Sequence, residues 1–431
     1  MSWRERIRGL RVDLTPARES RDFRLLVIAG TVFCVGQAMT YVAVPFQIYT
    51  LTGSNTMVGL IGLVELAPLL VAGLWGGALA DHVDRRRMLM GTGIAQIVLT
   101  LGLAFNAALA QPRVWVIFAL APCLMTAIAL QRPSREALLP RTVRHDQLPA
   151  ANALSALGWQ AGSLVGPTVA GLILAAYGAA WCFAVDVVGI SIAVLLYARM
   201  ASYPHREETT APSLAGIAEG IRYAVRRKDL LGTYLIDMAV MFLAMPLVLF
   251  PALAETIFRR PELLGLLYTS ETVGAVIAST LSGWHARIRS YGKVIVIAAS
   301  VYGLFIALAG QAPTFWLCCL ALVGAGAADM TSAVFRMSLW NQSIPENLRG
   351  RLAGIEMLSY SLGPLGAQVR AGITADAFGV RRAITAGGLA SMIGVAATAF
   401  WLRDFWSYDA TTDAHLLAER ARRADLGEAQ I

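Results

Sequence analysis

Gly76-Gly77-Ala78-Leu79-Ala80-Asp81-His82-Val83-Asp84-Arg85-Arg86-Arg87 ends one long apolar run and leads into another. Its two glycines let helix backbones approach closely, Asp81 can cap a helix or pair with a cation, and the arginines can bind carbonyls at helix ends. A short charged turn between two apolar segments directs attention to those segments. Across all 431 residues, 57% are apolar and only 15% charged, where soluble domains carry roughly a quarter charged residues. The mean hydropathy of +0.59 agrees. A water-soluble globule is excluded, as are disordered, collagen-like and disulfide-framework classes. Cys34, Cys123, Cys182, Cys318 and Cys319 all lie in apolar runs and read as small hydrophobes.

The apolar residues gather in stretches of about 20, the length that crosses a hydrocarbon core at 1.5 Å per residue. Twelve spans are expected, at 25–50, 57–80, 89–110, 114–132, 150–177, 180–199, 230–254, 263–284, 293–311, 314–336, 352–378 and 380–402. The Arg-rich first 24 residues precede a segment too long for a cleavable signal. Of the 36 Lys and Arg, 30 fall in the N-terminal segment and every second loop, against five in the alternate loops. Basic residues stay on the cytoplasmic side, so both termini are expected there. The net charge of +8 reads as topology and anionic-lipid contact, not nucleic-acid binding.

A shift of 206 residues places Pro45 on Pro251, Gly59-Leu60 on Gly265-Leu266, Glu65 on Glu271 and Gly77 on Gly283; a shift of 200 places Leu148 on Leu348, Ala153 on Ala353 and Gly166 on Gly366. Six spans plus six in the same orientation is a parallel repeat. The chain then divides into a cytoplasmic segment (1–24), a six-helix bundle (25–199), a linker (200–229), a second six-helix bundle (230–402) and a cytoplasmic tail (403–431). In the linker, Leu214, Ile217, Ile221 and Val225 lie opposite Arg222, Arg226 and Arg227, an amphipathic helix for the lipid surface.

The loop quoted above resembles that of the major facilitator superfamily, Gly-x-Leu-Ala-Asp-Arg-x-Gly-Arg-Arg/Lys, with His82 in place of Arg and Asp84 in place of Gly. Arg135-Glu136-Ala137-Leu138-Leu139-Pro140 with Leu148-Pro149-Ala150-Ala151-Asn152-Ala153-Leu154 is similar to the enterobactin (siderophore) exporter branch of the drug:proton antiporters. Ala43-Val44-Pro45-Phe46-Gln47-Ile48-Tyr49, Leu249-Phe250-Pro251-Ala252-Leu253-Ala254 and Phe183-Ala184-Val185-Asp186 are similar too. The resemblance implies an all-α membrane protein of the major facilitator fold, and a gating loop at Gly77, Asp81, Arg85 and Arg86. It also implies an antiporter motif in span 5 at Gly162, Gly166, Pro167 and Gly171, and a substrate path lined by spans 1, 4, 7 and 10. On the residues alone, the span 5 glycines read equally as close helix packing, with Pro167 bending the helix.

Ionisable residues inside the membrane cost several kcal/mol and mark function or a partner. Glu65 and Glu271, near the midplane and equivalent in the repeat, are the first candidates for proton coupling, followed by Asp237 and Asp329. Ordinary hydrogen bonding between helices is the plainer alternative for all four. Gln37 and Tyr41 share a face of span 1, and Asp237, Met241 and Met245 are spaced to share one of span 7. Amide, phenol and thioether groups suit an amphipathic or aromatic ligand. Arg336, near the inner end of span 10, is a candidate anion contact or a positive-inside anchor.

No phosphate loop, metal-ligand cluster or nucleophile elbow is present in the sequence. The expectation is a monomeric, non-enzymatic transporter without cofactor or metal, multi-pass in the bacterial inner (plasma) membrane. Its partners are a small amphipathic or aromatic substrate, protons and membrane lipids. Proton-driven export of a siderophore-like molecule is expected first, export of drugs or macrolides second, and a receptor or scaffold role a distant third.

Overall fold

A computed structural model describes residues 13–82, 84–203, 222–223, 225–344, 346–413 and 416–417, with the backbone alone at 70–71, 73–82, 284, 286–287 and 346–361. Among the described residues there is no strand. The first-half helices are α1 (Arg21–Thr52), α2 (Asn55–His82), α3 (Arg85–Ala108), α4 (Val114–Thr142), α5 (Leu148–Tyr177) and α6 (Ala179–Ala198). Those of the second half are α7 (Lys228–Ala244), α8 (Leu264–Thr280), α9 (Tyr291–Gln311), α10 (Phe315–Ser343), α11 (Glu346–Phe378) and α12 (Val380–Trp401). Among the described residues, ten helical segments are long and apolar enough to cross a membrane. Outward-facing Val98, Phe105, Leu195, Ile393 and Phe400 are exposed along these helices, a surface suited to lipid and not to water. The linker segment 204–221 lies outside the described residues, so the amphipathic helix expected there is not described.

Each half turns in the same way where its last two helices meet. Gly178 joins α5 to α6 with φ +82°, and Gly379 joins α11 to α12 with φ +92°. A side chain there would strain the backbone, so one glycine makes each reversal without a longer loop. Helix pairing also recurs: α3 packs on α4 and α6, and α9 packs on α10 and α12.

Two compact units emerge from the packing, Met1–Leu51 with Ala67–Ala211 and Thr52–Leu66 with Pro212–Ile431. The first part of α2 therefore packs with second-half helices. In the first unit, Leu26, Phe33, Leu89, Leu138, Ile190 and Tyr197 form a buried cluster. In the second, α9 and α12 touch backbone to backbone, a Cβ on Gly388 falling 2.4 Å from the Gly303 carbonyl.

The span expected at 230–254 is not one helix. α7 stops at Ala244, and a 3-10 turn (Leu247–Leu249), a single α-turn (Phe250–Ala252) and a π-helix (Leu253–Ile257) follow. Pro246 has no N–H to offer the Phe242 carbonyl four residues back. That carbonyl instead accepts a hydrogen bond from Arg370 Nε on α11 at 3.0 Å. Met245 takes an extended backbone beyond the helix end. It therefore does not share one helical face with Asp237 and Met241, as their spacing suggested.

Candidate functional site

Polar residues in α7, α8 and α10 meet inside the second unit. Asp329, Ser332 and Arg336 follow one another along one face of α10 at helical spacing. The Arg336 guanidinium lies 2.8 Å from Asp237 of α7 and 4.0 Å from Asp329, and it donates to Ser332 Oγ at 3.0 Å. Arg336 and Asp237 are buried, at 3% and 1% exposure. This corrects the reading of Arg336 as a surface anchor: α10 continues to Ser343, so the residue lies within the helix and its charge is met by a carboxylate. Below the pair, the Trp340 indole donates to Thr233 Oγ1 at 2.9 Å and stacks on Tyr234 with centroids 5.1 Å apart. These contacts hold α7 to α10 in a fixed register.

Glycines bring the third acid to the same place. A Cβ on Gly326 of α10 would lie 1.9 Å from the Glu271 carbonyl, and one on Gly274 of α8 would lie 1.9 Å from the Val323 carbonyl. Only glycine permits backbones that close. Glu271 thereby comes within electrostatic reach of Asp329, and the Tyr302 phenol of α9 lies near both. Glu271 Oε1 is buried and finds no hydrogen-bond partner among the described residues. Two carboxyl groups thus flank one guanidinium, and a third, Glu271, lies within reach of the second of them.

The other expected residues lie elsewhere. Glu65 is half-buried on α2 and makes no hydrogen bond or ion pair to another described residue. Gln37 is half-buried and Tyr41 exposed on α1. Met241 packs against α11, where a Cβ on Gly363 would lie 3.0 Å from its own Cβ.

In the first unit a different acid is buried. Asp186 of α6, 2% exposed, accepts a hydrogen bond from Thr40 of α1 at 2.5 Å. Its second oxygen has no hydrogen-bond partner among the described residues. Gly36 leaves room for this carboxyl group, since a Cβ there would fall 2.3 Å from Asp186 Oδ1. Asp186 falls inside the apolar run 180–199, but nothing in the sequence reveals Thr40 as its partner.

The α5 glycines fit against α1. Cβ atoms on Gly158, Gly162 and Gly166 would come within 2.3 Å of Thr31 Oγ1, 2.7 Å of Cys34 Cβ and 2.6 Å of Ala38 Cβ. Gly166, Pro167 and Gly171 are buried with Gly162 in α5. In the loop after α2, Arg85 donates to the Ala137 carbonyl at 2.8 Å, and Arg86 donates to the carbonyls of Tyr197, at 3.2 Å, and Ala198. The last carbonyls of α6 lack partners within the helix, and a guanidinium supplies them. Asp84 caps α3 by accepting from the Arg87 N–H at 3.0 Å, and it accepts from Ser202 Oγ at 2.6 Å. Its partial burial favours the neutral form, but these bonds outweigh it and hold the carboxyl below its ordinary range. The side chain of Asp81 and the surroundings of Gly77 lie outside the described residues.

Asp376 of α11, unmarked by any motif, accepts from Ser54 Oγ, the Asn55 N–H, Asn55 Nδ2 and the Thr56 N–H at 2.8–2.9 Å. It supplies an anion to the first N–H groups of α2, which have no acceptor in their own helix. Next to it, α2 and α11 nearly touch: a Cβ on Gly59 would lie 2.3 Å from the Gln368 carbonyl, and one on Gly372 2.3 Å from the Asn55 carbonyl.

Residues 12–424 match the family described as transmembrane secretion effectors. The enterobactin exporter EntS of Shigella boydii serotype 18 is 28% identical over 383 residues, covering 88% of this chain and 87% of that protein. EntS of Escherichia coli O81 is 28% identical over 381 residues with the same coverage. Among solved structures, a POT family transporter in complex with a thioalcohol-conjugated peptide has a TM-score of 0.70 at 10% identity, covering 89% of this chain and 96% of that one. A bacterial homologue of the human lysosomal transporter Spinster, inward-facing and unoccupied, has a TM-score of 0.67 at 16% identity, covering 94% and 97%. At these identities the structural likeness concerns the fold.

Proposed function

The chain belongs to the transmembrane secretion effector family of the major facilitator superfamily, and we propose that it is a secondary exporter of the plasma membrane. On this reading it moves a siderophore-like aromatic molecule outward by alternating access while protons move inward. Twelve spans form two six-helix bundles related as parallel repeats, both termini are cytoplasmic and the protein works as a monomer. The paired glycine turns at Gly178 and Gly379 and the recurring helix pairs support the repeat. The similarity to enterobactin exporters supports the substrate class.

The observation that supports proton coupling is the grouping of three buried acids in the second unit: Asp237 and Asp329 lie 2.8 and 4.0 Å from Arg336, and Glu271 lies within electrostatic reach of Asp329. One guanidinium balances one carboxylate, and a further anion inside a membrane costs several kcal/mol unless it takes up a proton or gains a partner. Protons then load and unload as the cluster's exposure changes. Glu271, whose Oε1 lacks a hydrogen-bond partner among the described residues, is the first candidate carrier. Glu65 is the second, then Asp329 and Asp237. The transmembrane potential adds about 2.3 kcal/mol per charge per 100 mV to inward proton movement.

Glu65→Gln and Glu271→Gln, alone and together, test this in proteoliposomes with an imposed pH gradient. Gradient-driven export should fail in at least one variant while passive substrate exchange continues. Uphill accumulation by the double variant would move the coupling role to Asp329 or Asp237. For topology, a cytoplasm-active reporter fused after Asp404 should give signal and one after Gly53 none. The reverse pattern would overturn the orientation.

A further inference from the structure

Between α1, α4 and α5, wholly within the first unit, lies a cavity of about 190 Å³. Its walls are largely apolar, with Leu26, Val27 and Leu139 on two sides and the Trp159 ring on a third. Over that ring, 5.0 Å from its centroid, sits the Arg135 guanidinium. Arg135 forms no ion pair with another described residue, and Glu136, the one carboxylate in the wall, is engaged by Arg132 at 2.8 Å. Gly30 opens onto the same space: a Cβ there would meet nothing within 4 Å. A cavity of about 150 Å³ suffices for a benzene ring, so this one holds a single substituted ring. The cation–π contact holds the guanidinium at the indole, and its N–H groups, which meet no carboxylate among the described residues, suit an anion.

We propose that this cavity is a binding subsite for an aromatic anion, a benzoate- or catecholate-type ring, with the ring against Trp159 and the apolar wall and the acidic group on Arg135. The subsite rests on the export reading for its role, as the first contact for one ring of a larger substrate. It stands by itself as a binding site. Apolar walls select the ring, and a cation with no carboxylate partner among the described residues selects its charge. A neutral aromatic compound gains only the first of these.

Full-length Ser155→Cys protein in nanodiscs of zwitterionic lipid tests the assignment. N-ethylmaleimide labelling of residue 155 is followed by peptide mass spectrometry, with salicylate as the anionic probe and 2-hydroxybenzyl alcohol as its uncharged counterpart. Salicylate should slow labelling strongly and the alcohol weakly. In this background Arg135→Gln should weaken salicylate protection roughly tenfold, the scale of one charge-assisted hydrogen bond, and spare that of the alcohol. Gly30→Leu, which fills the cavity, should abolish both. Labelling indifferent to salicylate overturns the proposal. So does protection by phosphatidylglycerol in the nanodisc that salicylate cannot displace, which would assign the cavity to a lipid headgroup. Intact protection without export in proteoliposomes would remove the export reading and leave the subsite. Export without protection would remove the subsite alone.

Discussion

Asp186 and Asp237 are both buried carboxylates in apolar helices, yet their surroundings differ in kind. Asp237 faces a guanidinium at 2.8 Å, Asp329 lies 4.0 Å from the same cation, and Glu271 is within electrostatic reach of Asp329. Asp186 has one threonine hydroxyl, a pocket opened by Gly36, and no counter-charge among the described residues. The first arrangement pairs one carboxylate with a cation and leaves further acids beside it, so adding or removing a proton alters contacts that join α7 to α10. The second is a local bond tying α6 to α1. Burial of an acid therefore does not by itself identify a coupling residue; its neighbours do.

That contrast breaks most readily at Arg336. Arg336→Ala leaves Asp237 buried without its cation, a loss of about 3–5 kcal/mol, seen as a large drop in thermal stability in detergent. A paired Asp237→Asn should recover much of it. If the single variant is as stable as wild type, the charge-balance account of the second unit fails. In the first unit, Thr40→Val removes the hydroxyl that donates to Asp186, a smaller loss of about 1.5–3 kcal/mol. No substitution in the second unit should rescue it; rescue by one would show that the two acids belong to a common network.

Asp376 offers a comparison outside both cores. Asp376→Ala should cost about 0.5–2 kcal/mol as a lost cap and raise maleimide labelling of a Ser54→Cys reporter. Unchanged labelling would mean that the contact does not hold the start of α2. The smallest effect is expected at Asp84, where Asp84→Ala costs about 1 kcal/mol as a cap. Because the folded carboxyl lies below its ordinary value, its stabilisation is complete above the unfolded-state value of about 3.9. It is lost as pH falls through the folded value. The Asp84→Ala difference should therefore stay constant between pH 6 and 8 and shrink only in strong acid.

The helices were legible in the sequence because long apolar runs have few other solutions in a membrane. The loop arginines were legible too, since a basic residue after a helix end has carbonyls to bind. The break in α7 was written in Pro246, but an apolar run of 25 residues hides it from a hydropathy reading. Arg336 was misplaced for a related reason. Counting basic residues toward the nearest loop assigns it to the cytoplasmic end of the span, whereas α10 runs seven residues further. Asp237 and Asp329 were visible as acids, but their shared cation was not. The Thr40–Asp186 and Asn55–Asp376 contacts join residues 146 and 321 positions apart. Local pattern cannot supply such partners.

On the export reading, the acids near Arg336 exchange protons as substrate binds. Purified protein in weakly buffered detergent with a pH-indicator dye tests this directly when a saturating aromatic siderophore is added. Wild type should release protons on binding, and Glu271→Gln should release measurably fewer at the same substrate occupancy. Equal release from the two proteins, or none from wild type across pH 6 to 8, would contradict the account.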